Sequence, residues 1–495
     1  MDARVRAERS LARWLFALLL VSYSFFFYMG GNWNINSRLF LVHAVVDRGT
    51  LNIDAYQAGP QGTGDKAFFK GHYYTDKAVG ASFLAVPVYA VVRPLLGGLG
   101  GLFTDDPQSI SRLQWFAGNY LANLFVTALP SALLGVLMFL LLGRFGFPPA
   151  DRVWVTLAYG LGTIAFPYST MLFGHQTAAA LLFAAFFLLV RERDREWRPW
   201  PFLFAGLLAG CAAITDYLTV FIGAALVGYA FWVGRQKSSL GAALIRLWPY
   251  ALGFVLPLPL QLGYNWAAFG HPLASAYRYE VVAEFREGMA AGVMGLTHPR
   301  LEALYQLTIG SWRGLFYGSP FLVFGLAGLY FLWREKRTRP EAILSSVVFV
   351  GLLLINSSYY LWWGGGIYGP RFLLPAIPFL AWAIGGALRA GPKTRIAFQA
   401  LAVVSAVFVL IVVVTTPLIP EGEKNPLVRG AIHALVTRGG SPTPNFNFNL
   451  MMFIVDDLRG VVPYLAFVAL ALVMAARRVR EIRAADGLTP EEGAN

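Results

Sequence analysis

Long uninterrupted apolar stretches recur from one end of this chain to the other, at residues 14–29, 121–142, 177–190, 343–355 and 396–417. Several approach the roughly 20 residues that carry a helix across about 30 Å of hydrocarbon. Such an excess of continuous apolar sequence needs lipid around it, and the runs read as transmembrane helices. The composition agrees: 57% of the 495 residues are hydrophobic and 14% charged, against roughly 45–50% and about 25% in soluble domains. The expected fold class is therefore all-α, a polytopic integral membrane protein.

Several readings drop out early. The first apolar run follows Arg4, Arg6, Arg9 and Arg13 in the manner of a signal peptide, but no small-residue cleavage site follows it, so an uncleaved first span is expected. Cys211 is the only cysteine and sits within an apolar run, which rules out an intramolecular disulfide. The formal charge of +13 is scattered over the ends of apolar runs, with no basic stripe of the kind a nucleic-acid site needs. Walker, dinucleotide-fingerprint, HExxH and GxSxG patterns are all missing, which argues against soluble nucleotide-sugar chemistry.

The basic clusters set a topology. With the N-terminus in the cytoplasm, residues 144–152, 191–198, 235–246, 334–339, 389–395 and 477–483 fall on the same side, and together with the N-terminal arginines they hold 24 of the 40 basic residues. That is the positive-inside bias of short loops. It predicts about 12 spans with both termini cytoplasmic, in one transmembrane domain over residues 1–476 followed by a cytoplasmic tail at 477–495 whose end, Thr489 to Gly493, reads as disordered. Residues 201–233 are too long for one span, so two short helices are expected to meet at Thr215-Asp216-Tyr217. This also keeps Asp216 from the bilayer centre, where it would cost about 2.5–3.5 kcal/mol. The outer face receives long segments at 30–112 and 265–317 and shorter loops at 357–371 and 418–459. Within the first, residues 78–92 and 95–103 read as helices lying in the interface.

Chemistry is concentrated in these outer segments. The first carries Arg38, Asp47, Asp54, Asp65, His72, Asp76 and Lys77 among aromatics. A cation there suits an anionic lipid phosphate, and a carboxylate suits removal of a proton from a hydroxyl. Lys77 stands at the entry to an apolar helix, where its stem can snorkel. A second cluster runs from Tyr360 to Pro378 and contains Trp362-Trp363, three glycines, and Arg371 after Gly369-Pro370. Tryptophan faces stack on sugars, and a guanidinium can grip phosphate with two parallel bonds. His175 and Asp216 lie at the outer ends of spans, and Arg278, Glu280 and Arg313 lie beside aromatics in the second long segment. Each also has a plain structural reading: a helix cap, an aromatic belt, or a local ion pair.

The chain resembles the polyprenyl-phosphate-dependent glycosyltransferases of the C-type (GT-C) superfamily, near the bacterial protein O-mannosyltransferases and the lipid A aminoarabinose transferases. Asn36-Ser37-Arg38 resembles the Arg-containing motif after their first span, and Gly71-His72-Tyr73-Tyr74-Thr75-Asp76-Lys77 resembles their aromatic segment ending in Lys. The likeness implies that Arg38 and Lys77 hold the lipid phosphate. The acidic pair usual before that Arg is replaced by Asn34-Ile35-Asn36-Ser37, which leaves Asp54 or Asp76 as candidate general base. His175, Asp216, Arg313, Trp363 and Arg371 complete the expected substrate contacts. The implied reaction transfers a sugar from a polyprenyl-phosphate donor to a hydroxyl of a glycan, lipid or protein on the periplasmic face of a bacterial inner membrane. No organic cofactor is expected, and the assistance of a divalent metal is left open. A lipid-linked sugar flippase is the non-catalytic alternative, although charges at span ends and the lack of a repeat speak against a transporter. An O-antigen polymerase or ligase is the second alternative, distinguished by a diphosphate by-product.

Overall fold

The computed structural model describes residues 3–28, 32–57, 62–102, 106–236, 238–438, 448–449 and 458–485. Much of the expected outer loop at 418–459, Lys237 and the sequence 489–493 lie wholly or partly outside the described residues. Eight helices among those described are long and apolar enough to cross a membrane: Gly80–Gly101, Ser111–Arg144, Gly174–Glu192, Tyr217–Arg235, Leu240–Phe269, Arg339–Ser358, Pro392–Val414 and Leu458–Ala485. That is fewer than 12, for a physical reason. The opening helix Ala3–Phe25 has 23 residues but carries Glu8, Arg9 and Arg13 in its first half. Pro199–Thr215, Pro320–Arg334 and Arg371–Ala381 are apolar but shorter. The chain is all-α apart from short two-stranded pairings.

Residues 201–233 divide as the charge argument requires. Pro199–Thr215 and Tyr217–Arg235 are separate helices, and Asp216 between them is extended, with φ −151° and ψ 110°. The interface helices expected at 78–92 and 95–103 are instead one helix, Gly80–Gly101, which continues through Pro87 and Pro94. Each proline removes one N–H donor, a loss that an apolar helix in or near a membrane absorbs. This helix pairs with the start of Ser111–Arg144, where Gln114 Nε2 donates to the Arg93 carbonyl at 3.0 Å. At about 1.5 Å per residue, the 34 residues of that partner extend about 51 Å, well beyond a hydrocarbon core. The helix Val462–Ala485 runs through the expected tail boundary at 476 without a break.

The basic clusters converge on one end of the bundle. Arg152 pairs with Glu8 at 3.0 Å, Arg144 with Asp194 at 2.6 Å, Arg193 with Glu341 at 2.7 Å, Arg395 with Asp151 at 3.3 Å, and Arg389 with Glu335. The helices that carry these pairs deliver different residues at their other ends. Gly174–Glu192 runs from His175 to the Arg193 pair, and Arg339–Ser358 runs from the Glu341 pair to Tyr359. At about 1.5 Å per residue the first spans about 28 Å. The ionic layer and the candidate site therefore lie a membrane's thickness apart.

Candidate active site

Three local devices build the site. The first is the helix Trp33–Arg48, started by Asn32, whose side-chain oxygen accepts from the backbone N–H of Asn34 at 2.9 Å and Ile35 at 3.3 Å. A polar cap of this kind satisfies donors that the first helical turn leaves free. It sets Ser37 and Arg38 on a buried face one turn in. Arg38 Nη1 donates to the Asn34 carbonyl at 3.1 Å and to the Asn34 side chain, while Arg38 Nε is buried with no hydrogen-bond partner.

The second is a hairpin of Lys66–Phe69 against His72–Thr75, closed by Lys70 and Gly71, both at positive φ (48° and 87°). Two consecutive positive-φ residues make the tight turn that matches strand twist. Its register opposes Lys66 to Thr75, which brings Asp65 beside Asp76 at the open end. Lys77 Nζ pairs with Asp65 at 2.9 Å and with Asp76. Ser37 donates to Asp76 Oδ1 at 3.2 Å and shares a 2.6 Å hydrogen bond with the Thr75 hydroxyl. The Arg-containing motif and the Lys-ending motif are thus locked together by Ser37. Ala67 also bridges to Glu280, which adds a third carboxylate from 200 residues away in the sequence.

Asp65 and Asp76 therefore flank one largely buried ammonium, with Glu280 near Asp76. Burial works against the Asp76 charge, but Lys77, Glu280 and Arg38 together outweigh it and hold that carboxyl below the usual range. Burial likewise opposes the Lys77 charge, yet Asp65 and then Asp76 hold the ammonium above its ordinary value. Glu280 takes the opposite course: burial and then the Asp76 charge push it well up. That favours its protonated form, as expected when like charges share a dry site.

The third device is the Trp362–Arg371 turn. Gly364 and Gly365 have φ of 76° and 78°, and a Cβ at Gly364 would press on Arg371 Nε at 3.0 Å. Glycine is what lets the guanidinium lie against this backbone. Arg371 packs on Phe372 at 4.8 Å and Phe173 at 5.7 Å, and its Nε is buried without a hydrogen-bond partner.

The three devices meet around a cavity of about 540 Å³ lined by Arg38, Asp65, Lys77, His175, Asp216 and Arg371, with the rings of Tyr217, Tyr277, Tyr359 and Tyr360 and the carboxylates of Glu280 and Glu421. Its size is that of a ligand pocket. The closing contact is made at Thr215, because a Cβ on Gly80 or on Gly174 would collide with it. Here His175 Nδ1 meets Asp216 Oδ2 at 2.6 Å, and both side chains are 8% exposed. Among the described residues, no group of three or more His, Cys, Asp or Glu is disposed to hold a metal ion.

Of the residues singled out from sequence, Arg38, Lys77, His175, Asp216 and Arg371 come together at this cavity. Asp76 stands just behind its wall, 1% exposed. Three others go elsewhere. Asp54 accepts from the Tyr73 backbone N–H at 2.6 Å and pairs with His72 at 2.7 Å on the half-exposed back of the hairpin. Arg313, 1% exposed, donates to the carbonyls of Trp363 at 2.7 Å, Trp312 at 3.1 Å and Gly365 at 2.6 Å, so it holds the glycine turn. The Trp363 ring stacks on Trp312 at 5.8 Å and donates to Glu421. By sequence, Asp65 is one charge among several in the first outer segment and Glu280 one beside aromatics in the second. Only strand pairing discloses that both belong to the charged cluster.

No protein-family model matches the chain, and no curated protein does. Two solved structures follow a similar course. ArnT from Cupriavidus metallidurans in the apo state is similar over 94% of this chain and 75% of its own, at 15% identity and a TM-score of 0.44. ArnT from the same organism bound to undecaprenyl phosphate is similar over 96% of this chain and 77% of its own, at 16% identity and a TM-score of 0.42.

Proposed function

We propose that this protein is a membrane glycosyltransferase that moves a sugar from a polyprenyl-phosphate donor to an acceptor hydroxyl. The observation that carries the reading is the pair of guanidiniums, Arg38 and Arg371, which line one cavity, neither forming an ion pair with a carboxylate among the described residues. Two cations with no carboxylate partner around one buried space favour an anionic ligand. Phosphate is the natural match to guanidinium geometry. The same groups would stabilise the charge that builds on phosphate as the sugar departs. The tyrosines lining the cavity supply faces for a sugar ring. A single in-line displacement would invert the anomeric carbon.

The cavity lies at the opposite end of the helices from the arginine-rich ionic layer. The positive-inside bias therefore supports a site on the periplasmic face of a bacterial inner membrane, with both termini cytoplasmic. The donor is tested with undecaprenyl phosphate, the lipid bound in one of the similar structures. Its binding to purified protein should weaken tenfold to a hundredfold in Arg38→Ala and in Arg371→Ala, the loss of one charge-assisted contact of about 1.5–3 kcal/mol. No binding to the wild type, or unchanged binding to both variants, refutes the reading.

A further inference from the structure

Transfer to a hydroxyl needs a group to accept its proton, and neither base expected from sequence is placed to do so. Asp54 caps the hairpin away from the cavity. Asp76 is behind the wall, with its oxygens engaged by Ser37 and Lys77. The remaining carboxylates are also committed. Asp65 is paired with Lys77 at 2.9 Å, Glu421 accepts from the Trp363 ring, and burial beside Asp76 pushes Glu280 toward its protonated form. Among the described residues that line the cavity, the pair His175 and Asp216 remains.

We infer that His175 is the general base of the transfer reaction and that Asp216 is its positioning residue. His175 lines the cavity, and its Nδ1 lies 2.6 Å from Asp216 Oδ2. A carboxylate only accepts, so Nδ1 carries the proton and Nε2 carries the lone pair. Asp216 is itself fixed, since its other oxygen accepts from the Leu218 backbone N–H at 3.3 Å and its carbonyl accepts from the Thr219 hydroxyl at 2.7 Å. The ring of His175 lies edge-on to Phe372 at 5.3 Å, the neighbour of Arg371. The base and a phosphate-binding guanidinium therefore flank the same space.

The step balances. The acceptor O–H gives its proton to Nε2 while its oxygen bonds to the anomeric carbon. The bond from that carbon to the phosphate oxygen breaks, and its electron pair leaves with the phosphate. The donor's singly charged phosphodiester becomes a doubly charged monoester between the guanidiniums, and the new imidazolium is neutralised by Asp216. The charged and titratable groups around His175 are Asp216, Arg371 and Arg38, with the Tyr168 ring 6.5 Å away.

This inference rests on the proposed glycosyltransferase activity, so binding and turnover are measured separately. Binding is read on purified full-length protein as the rise in melting temperature with undecaprenyl phosphate, which also reports that each variant is folded. Turnover is read as release of polyprenyl monophosphate in membranes of the parent organism. These come from a strain lacking the native protein and resupplied with wild type or variant, so that native donor and acceptor are present. His175→Gln should keep the binding response and lose turnover about 10²–10⁴-fold, the usual cost of removing a general base. His175→Ala should recover part of that turnover with added imidazole. Asp216→Asn should move the acidic limb of the pH–rate profile to lower pH, because the imidazolium loses its counter-charge; a purely structural role would not move it. Turnover near wild type in His175→Gln, or an unmoved acidic limb in Asp216→Asn, overturns the assignment. A wild type that neither binds undecaprenyl phosphate nor releases monophosphate overturns the transferase reading beneath it.

Discussion

Lys77 offers the sharpest test of the energetics of this site. Sequence alone presents it as a free cation awaiting a lipid phosphate, so that its loss should spare folding. The structure instead places its ammonium 2.9 Å from Asp65 and against Asp76, with side-chain exposures of 15%, 12% and 0%. At an effective dielectric of about 20, unit charges 2.9 Å apart attract by about 6 kcal/mol, largely offset by what each loses on leaving water. Removing one partner forfeits the attraction and keeps the desolvation cost of the other, about 3–5 kcal/mol for a buried pair. Lys77→Ala strands two carboxylates rather than one, which points to the upper part of that range. Thermal unfolding in detergent measures the loss. The double variant Lys77→Met with Asp65→Asn removes one carboxylate together with the ammonium and should recover a large share of it. If Lys77→Ala melts with the wild type, or if the double variant melts no higher than Lys77→Ala, the charge-balance argument fails.

Four further outcomes are expected. Glu280 has a pKa above its ordinary 4.5 in the fold, so the native protein keeps a proton that the unfolded chain releases. That stability is complete below about pH 4.5 and is lost as pH rises toward the folded value. The melting temperature of Glu280→Gln should therefore fall less steeply than that of wild type between about pH 6 and pH 9. Arg313→Ala should lower the melting temperature, since each backbone carbonyl left unpaired costs about 1–3 kcal/mol, and Arg313→Lys should fail to restore it because an ammonium cannot span three acceptors as the fork does. Asp54→Asn should keep near-wild-type monophosphate release in the membrane assay, since the carboxylate acts on the hairpin and not on the cavity; a loss of the size expected for a general base would return Asp54 to the chemistry. In a Cys211→Ala background, a cysteine at the exposed hairpin-tip position of Lys70 should label with an impermeant maleimide added outside intact cells, and one at the exposed position of Glu196 should not. The reverse pattern would invert the proposed sidedness.

Much of the candidate site was legible as residue types. Arg38, Lys77, Arg371, His175 and Asp216 each stand out as an ionisable group near aromatics at the end of an apolar run. Their roles were less legible. Sequence offers both Asp54 and Asp76 as bases, and tertiary contacts separate them: Asp54, outside the hairpin, bonds His72 and the Tyr73 N–H, whereas Asp76, just past its second strand, joins the charged cluster. Asp65 looked like an ordinary turn residue because a Gly-rich setting favours Asp for local reasons, and no local signal reports the Lys77 ammonium across the hairpin.

The sequence by itself determined the class of molecule and its lengthwise order. Apolar run length and the placement of arginines are one-dimensional quantities, and the bilayer reads them in one dimension, by thickness and by side. That is why the helix break at Asp216 and the gathering of basic clusters at one end followed from counting. What only the tertiary structure decided was which charges face one another. Glu280 reaches Asp76 through an isolated bridge to Ala67, His175 reaches Asp216 because glycines at 80 and 174 let three segments close on Thr215, and Arg313 is spent on a turn 50 residues away. Pairings across such separations depend on strand register and on close helix approach, and in a dry site the neighbour, more than the residue type, sets whether a carboxylate is a base, a counter-ion or a proton holder.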